Sequence, residues 1–331
     1  MPIANKLRSA SSEEDPKIYE LFSVDAYKGE DTTPKLLLHE DLDIAGNPTT
    51  IWTKKNNDAG TTKFVVNSPD IMGYSQYLAL GDHNGSQTYS IINDIPSTGG
   101  IRFNGGSTGG QSGDWANFNH TDYTYSSYAF REHPKFFSEV SYIGTEATKT
   151  ISHGLKDDLG MAIFKNRIDG DWIVWHKDMG TDQSSGNYYH KVAYLNKSYP
   201  PESSSVGGVM HWGGNTTQVV DNSAGTFKIG NGTTSTGSDY LKINVSGQSH
   251  IAWFFPDNEY VKCGKLDTQG FSFGSYGYQV DLGFEPQFVL IKNIYMNGDW
   301  RIWDRYGAGS AQGNGDFHLI INALDSYTNQ Q

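Results

Sequence analysis

The residues whose types suit chemistry come in two matched groups. Lys165-Asn166 is followed by Gly170-Asp171-Trp172, and Lys292-Asn293 by Gly298-Asp299-Trp300. An indole face stacks on a sugar ring while a neighbouring Asp or Asn hydrogen-bonds its hydroxyls, so a carbohydrate site is one reading. The structural reading outweighs it, because residues needed at equivalent places in one chain more often serve a shared fold than a shared ligand. Gly-Asp suits a turn, and Trp172 with Val174, or Ile173 with Trp175, mark the two faces of a sandwich strand by period-two alternation.

Other chemistry finds little support. The ten histidines (39, 83, 120, 133, 153, 176, 190, 211, 250 and 318) are scattered, with none at the spacing a metal site favours. No GxSxG elbow, HExxH, P-loop or EF-hand loop occurs, and Gly313-Asn314-Gly315 lacks the helix that would make it a phosphate loop. The geometry that defines a glycosidase carboxylate pair is invisible in sequence, so a glycan depolymerase stays an alternative. The reading is a non-enzyme: no catalytic, cofactor-binding or metal residue is assigned, and no cofactor. The single cysteine, Cys263, forms no internal disulfide. The six Asn-x-Ser/Thr sequons, Asn119 and Asn244 among them, follow from composition.

The elements that must position these residues are strands. The 331 residues include 16 Phe, 20 Tyr, 8 Trp and 38 Gly, while long segments of helical period are missing, which reads as all-β. A net charge of -12 argues against nucleic acid and anionic lipid as partners, and no apolar run is long enough to insert in a membrane. The N-terminus lacks the apolar core of a signal peptide, so synthesis in the cytoplasm is expected. Strands are expected at 19–27, 49–53, 63–67, 136–143, 161–165, 172–176, 240–245, 288–292 and 301–303. Asn84-Gly85 and Asn297-Gly298 are among the dipeptides that suit type I′ hairpin turns.

The chain copies itself. Ile163-Phe164-Lys165-Asn166 and Gly170-Asp171-Trp172-Ile173-Val174-Trp175 return as Leu290-Ile291-Lys292-Asn293 and Gly298-Asp299-Trp300-Arg301-Ile302-Trp303, at a spacing of 128 between the glycines. A looser first copy holds Ile51-Trp52-Thr53-Lys54-Lys55-Asn56 and Lys63-Phe64-Val65-Val66-Asn67. Tyr27-Lys28-Gly29 matches Tyr142-Ile143-Gly144 at a spacing of 115, and Tyr128-Ala129-Phe130 and Ala252-Trp253-Phe254 each close a unit. Such spacings match free-standing domains, so each unit is expected to bury its own core. The expected architecture is an extended arm (1–17), two tandem β-sandwich units of jelly-roll or lectin-like kind with long polar loops (18–131 and 132–257), and a partial third (258–331).

The series Ile151-Ser152-His153-Gly154-Leu155, Ala162-Ile163-Phe164-Lys165-Asn166-Arg167 and Gly170-Asp171-Trp172-Ile173-Val174-Trp175 resembles a repeat of structural proteins from marine and cyanobacterial tailed bacteriophages. Gly283-Phe284-Glu285-Pro286-Gln287-Phe288-Val289-Leu290-Ile291-Lys292-Asn293 is similar to its companion form. The resemblance covers units two and three well and unit one loosely. It implies a virion component of the tail, neck or fibres, serving as scaffold or connector, with other virion proteins as partners and no catalytic residue. Two features add expectations. Unpaired strand edges in the partial unit favour self-association as a trimer or ring. Any recognition of a host surface glycan is expected at the loop tips 107–113 and 230–237. A lectin-like module is the main alternative, and it requires the tryptophans to face outward.

Overall fold

The computed structural model of the chain describes residues 15–30, 34–39, 42–56, 64–80, 84–88, 91–97, 99–104, 118–184, 187–203, 220–221, 225–229, 242–266, 279–305, 317–321 and 328–329. Unit one holds β1 (Phe22–Lys28), β2 (Lys35–Leu37), β3 (Thr49–Lys55), β4 (Val65–Asn67), β5 (Gln76–Ala79), β6 (Gln87–Thr88), β7 (Ile92–Asp94), β8 (Ile101–Phe103) and β9 (Thr124–Arg131). These form one sheet in the order β1-β9-β3-β4-β5-β6 and a smaller one, β2-β8-β7. Unit two holds β10 (Ser138–Ile143), β11 (Lys149–Ser152), β12 (Leu159–Asn166), β13 (Ile173–His176), β14 (Thr181–Ser184), β15 (Asn187–Tyr194), β16 (Glu202–Ser203), β17 (Val220–Asp221), β18 (Thr226–Ile229) and β19 (Ser249–Pro256). Its sheets run β10-β19-β12-β13-β15-β14, with β16 beside β15, and β11-β18-β17. In unit three, β20 (Phe288–Ile291), β21 (Arg301–Asp304), β22 (Phe317–Ile320) and β23 (Thr328–Asn329) make a single sheet in sequence order. One four-residue helix, α1 (Pro69–Met72), and one 3-10 turn (Ile18–Glu20) complete the described elements, so the fold is all-β and sandwich-type.

Eight of the nine expected strands are present within a few residues, whereas residues 242–245 are irregular. The reason is local. The Asn244 side chain accepts the Thr145 N–H at 3.0 Å and donates to the Ala147 carbonyl at 2.7 Å, which pins this stretch as a loop against the end of β10. Unit one repeats the device, since the Asn119 side chain accepts the Glu30 N–H at 2.9 Å. Tyr142 donates to the Ile243 carbonyl at 2.6 Å and Tyr27 to the Phe118 carbonyl at 2.7 Å, so the repeated tyrosine anchors the same loop twice. The glycine two residues on lets the chains touch: a Cβ at Gly29 would sit 2.2 Å from the His120 oxygen, and one at Gly144 2.1 Å from that of Val245. Both sequon residues, Asn119 and Asn244, are buried structural groups.

The two Asn-Gly expectations fail for a related reason. Residues 292–300 separate β20 from β21, and the Gly298 N–H donates to the Ser198 carbonyl of unit two at 2.8 Å instead of closing a two-residue turn. Gly85 likewise serves contact between units: a Cβ there would meet the Arg167 and Ile168 oxygens at 2.3 Å.

The large sheets of units one and two are buried on both faces. In β12 and β13, Ala162, Phe164, Ile173 and Trp175 point into the sandwich core of unit two, which Phe227 and Phe254 fill from the other strands. The alternate residues Ile163, Trp172 and Val174 point the opposite way, into a second core. That second core draws on all three units, with Trp52, Phe64 and Tyr128 from unit one, Trp172 and Trp253 from unit two and Trp300 and Ile302 from unit three. The expectation that each unit buries its own core is therefore half of the answer. Units one and two each own a sandwich core, and all three units share a central one.

The contacts around this core run in one cyclic direction. Trp172 of unit two donates its indole N–H to the Ala79 carbonyl of unit one at 3.0 Å, and the equivalent Trp300 of unit three donates to the Tyr194 carbonyl of unit two at 2.7 Å. Trp253 of unit two donates to Thr50 Oγ1 of unit one at 3.1 Å. Its counterpart Tyr128 donates to the Asp304 carboxylate of unit three at 2.5 Å. Unit two thus leans on unit one, unit one on unit three and unit three on unit two, a pseudo-threefold built within one chain.

Candidate assembly interface

The repeated Lys-Asn and Gly-Asp-Trp residues form a closed hairpin device. Lys165, fully buried on β12, donates its Nζ to the Gly170 carbonyl and lies 6.0 Å from the Trp172 ring. Lys292 repeats this, donating to the Gly298 carbonyl at 2.5 Å and to that of Ser198 at 2.8 Å. Burial lowers the Lys292 pKa, with Asp299 opposing it. In unit one Lys54 sits 5.5 Å from the ring of Phe64, which stands where Trp172 and Trp300 do. Asp171 accepts from Asn196 Nδ2 at 2.7 Å and from Lys197 Nζ at 2.5 Å. Asn166 Oδ1 caps the Ile168 N–H at 2.8 Å, and Asn293 Oδ1 the Tyr295 N–H at 2.9 Å. These polar groups are engaged by the protein itself, which is what the structural reading of the repeat requires. Lys165→Met is expected to lower stability by about 1–3 kcal/mol, because it strips the donor from a buried carbonyl. Lys292→Met should cost less, since its ammonium is partly open to water. Denaturant midpoints check this, and an unchanged midpoint for Lys165→Met would remove the role.

The described tryptophans do not form a stacking platform. Among the described residues, Trp52, Trp172, Trp175, Trp253 and Trp300 are buried, and Trp303 is half-buried. The loop tips 107–113 and 230–237 lie outside the described residues. Of the expected arm, only residues 15–17 are described, and they contact their own chain: Asp15 pairs with Lys135 at 2.8 Å, and Tyr260 donates to the Pro16 carbonyl at 2.7 Å. Among the described residues, no group of three or more His, Cys, Asp or Glu is placed to hold a metal ion. Burial pushes the Cys263 thiol up to about 12, so it stays protonated at neutral pH.

Sequence reasoning missed a buried carboxyl between units one and two. Glu139 on β10 accepts a hydrogen bond from the Thr50 hydroxyl, which itself lies 3.2 Å from Ser68 Oγ. Its other oxygen is buried without a partner. Desolvation raises its pKa to about 7, opposed by the neighbouring Thr50 and Ser68 hydroxyls and helped by the nearby Glu132 and Asp70 charges. A lone Glu in a strand otherwise rich in Val, Ser and Tyr carries no sequence signal of burial, because the groups that enclose it come from unit one.

Among the described residues, unit three differs from the other two at one sheet edge. In units one and two, β9 and β19 fill the place beside β3 and β12, on the edge away from β4 and β13. Among the described residues β20 pairs only with β21, and no described strand lies along the matching edge. The left-handed Gly154 and Gly283 (φ 67° and 78°) align the two units. Ile151, Leu155 and Phe164 are 3%, 4% and 0% exposed inside unit two, whereas Val280, Phe284 and Ile291 at the same places are 50%, 37% and 49% exposed. These are core positions without a core.

Fold and interface together define an all-β, sandwich-type chain whose repeated units pack cyclically about a shared core. Residues 22–326 match a family described as Domain of unknown function (DUF7483), and the chain belongs to that family. Neither curated proteins nor solved structures give a match.

Proposed function

We propose that this chain is a structural component of a tailed-bacteriophage particle, in the tail, neck or fibres, acting as scaffold or connector. The observation that carries this reading is that one chain packs three repeated units cyclically about a shared core, which makes it a rigid connector between neighbours. The resemblance of units two and three to phage structural repeats points the same way. The lectin-like reading rested on outward-facing tryptophans, and the burial of five of the six described ones weakens that support. The reading includes other virion proteins as partners, with self-association as a trimer or ring, and host glycan contact confined to the loop tips. Among the described residues, no helix is long and apolar enough to cross a membrane.

The test is location. Gold-labelled antibody against this chain should decorate the tail, neck or fibres of purified particles in the electron microscope. Label confined to disrupted capsid interiors, or particles that lack the chain by mass spectrometry, would overturn the assignment.

A further inference from the structure

We propose that the Glu139 carboxyl is a pH-operated latch: in its neutral form it holds units one and two together, and on ionising it admits water and loosens that boundary alone. The inference goes beyond the virion reading and does not depend on it.

The repeat shows that the fold does not need a carboxyl at this place. Glu139 stands opposite Trp253 as Val24 stands opposite Tyr128, the counterpart of Trp253, so Val24 is the unit-one equivalent of Glu139. Val24 is fully buried and belongs to the central core. At its boundary the buried acid comes from the other side, as Asp304 of unit three, and it accepts the Tyr128 hydroxyl. Arg305 beside it donates to the Val24 carbonyl at 3.1 Å, which gives that boundary a cation. One boundary thus closes over a valine, with a bonded acid and an arginine at hand. The other closes over a carboxyl with an unpartnered oxygen.

The surroundings of Glu139 offer little to an anion. From β3 comes the Thr50 hydroxyl, whose single hydrogen serves Glu139 Oε2 while its oxygen accepts the Trp253 indole N–H at 3.1 Å. Ser68, just ahead of α1, lies 3.2 Å from the same hydroxyl. The charges that act on the carboxyl are acidic. Glu132, after β9, accepts from Ser138 Oγ at 2.9 Å, and Asp70 on α1 accepts the Thr49 N–H at 3.3 Å. The basic groups of the segment that leads into β10 are committed elsewhere: Arg131 to the Glu20 carbonyl and Asn47 Oδ1, Lys135 to Asp15, and His133 Nδ1 to the Lys135 N–H.

Such a setting tolerates a neutral carboxyl and not a carboxylate, because an ion removed from water without donors costs far more than a polar group does. Burial accordingly raises the pKa of Glu139 to about 7. Once ionised, the group regains donors from water, and water reaches it by parting Thr50 and Ser68 of unit one from β10. The Trp253 N–H shares the Thr50 oxygen, so that contact loosens with it.

The experiment is amide hydrogen exchange of the full chain at about pH 6 and about pH 8.5, with each rate divided by that of the unfolded amide at the same pH. Protection in β3 and β10 is expected to fall about tenfold at the higher pH, while β1 and β21, at the boundary between units one and three, keep theirs. Glu139→Gln, and Glu139→Val, which copies unit one, should each abolish the fall; either variant that keeps the wild-type circular dichroism serves. No fall in the wild type, an equal fall at both boundaries, or a fall that persists in a folded variant would overturn the latch. None of these outcomes bears on whether the chain is found in particles.

Discussion

Trp253→Ala is expected to destabilise units one and two together, by about 3–5 kcal/mol, a large share of the 5–15 kcal/mol that holds a typical domain. The indole is fully buried and stacks on Trp172 with ring centroids 5.3 Å apart and planes 18° apart. Its N–H donates to Thr50 Oγ1 across the boundary between units. Alanine would leave a cavity in the core to which all three units contribute, and would also strip the Thr50 oxygen of one donor. Independent tandem domains would answer differently, with unit two melting early and unit one unaffected. Hydrogen exchange read separately on β3, β4 and β12 under mild denaturant distinguishes the cases. Faster exchange in all three strands is the expected result, and wild-type protection in β3 and β4 beside a melted β12 would show that the central core does not couple the units.

Glu139→Gln should stabilise the protein at alkaline pH and leave it unchanged in acid. In the folded chain the carboxyl titrates at about 7 and in the unfolded chain at about 4.5. Between those values the folded state holds a proton that the unfolded state has released, so the favourable contribution is full below pH 4.5 and is lost as pH rises to about 7. The shift corresponds to about 3 kcal/mol, an upper bound because water that relaxes into the interface reduces it. The glutamine keeps an acceptor for the Thr50 hydroxyl and carries no charge to bury. His153 and His190, both held down to about 4 by burial, lose their stabilising effect as pH falls from 6.5, so the wild-type profile should decline on both sides. The difference between wild type and variant isolates Glu139: near zero at pH 4.5, rising through pH 6, flat above pH 7.5. A constant difference at every pH would mean that the carboxyl is not the titrating group.

Local order was legible in the sequence wherever one strand carries its own pattern. The alternation of Trp172 and Val174 with Ile173 and Trp175 marked the two faces of the strand, and the structure buries both, one in the sandwich core and one in the shared core. The repeated Tyr-x-Gly marked the ends of β1 and β10, where the tyrosine hydroxyls and the close approach at glycine fasten the same loop twice. The Asn-Gly pairs misled because their glycines answer to neighbouring units. Gly85 abuts the Arg167 backbone and Gly298 the Ser198 carbonyl, and neither need is written in the flanking residues.

By itself, then, the sequence determined the all-β class, the repeat and the two-faced strands, since these follow from side-chain period and turn chemistry within a few residues. Only the tertiary structure decided that the units close around one core, that Glu139 is buried between two of them, and that Val280, Phe284 and Ile291 stand open. The first two depend on groups more than fifty residues apart in the chain. Burial is a property of what surrounds a residue, and period and composition record only the residue and its near neighbours.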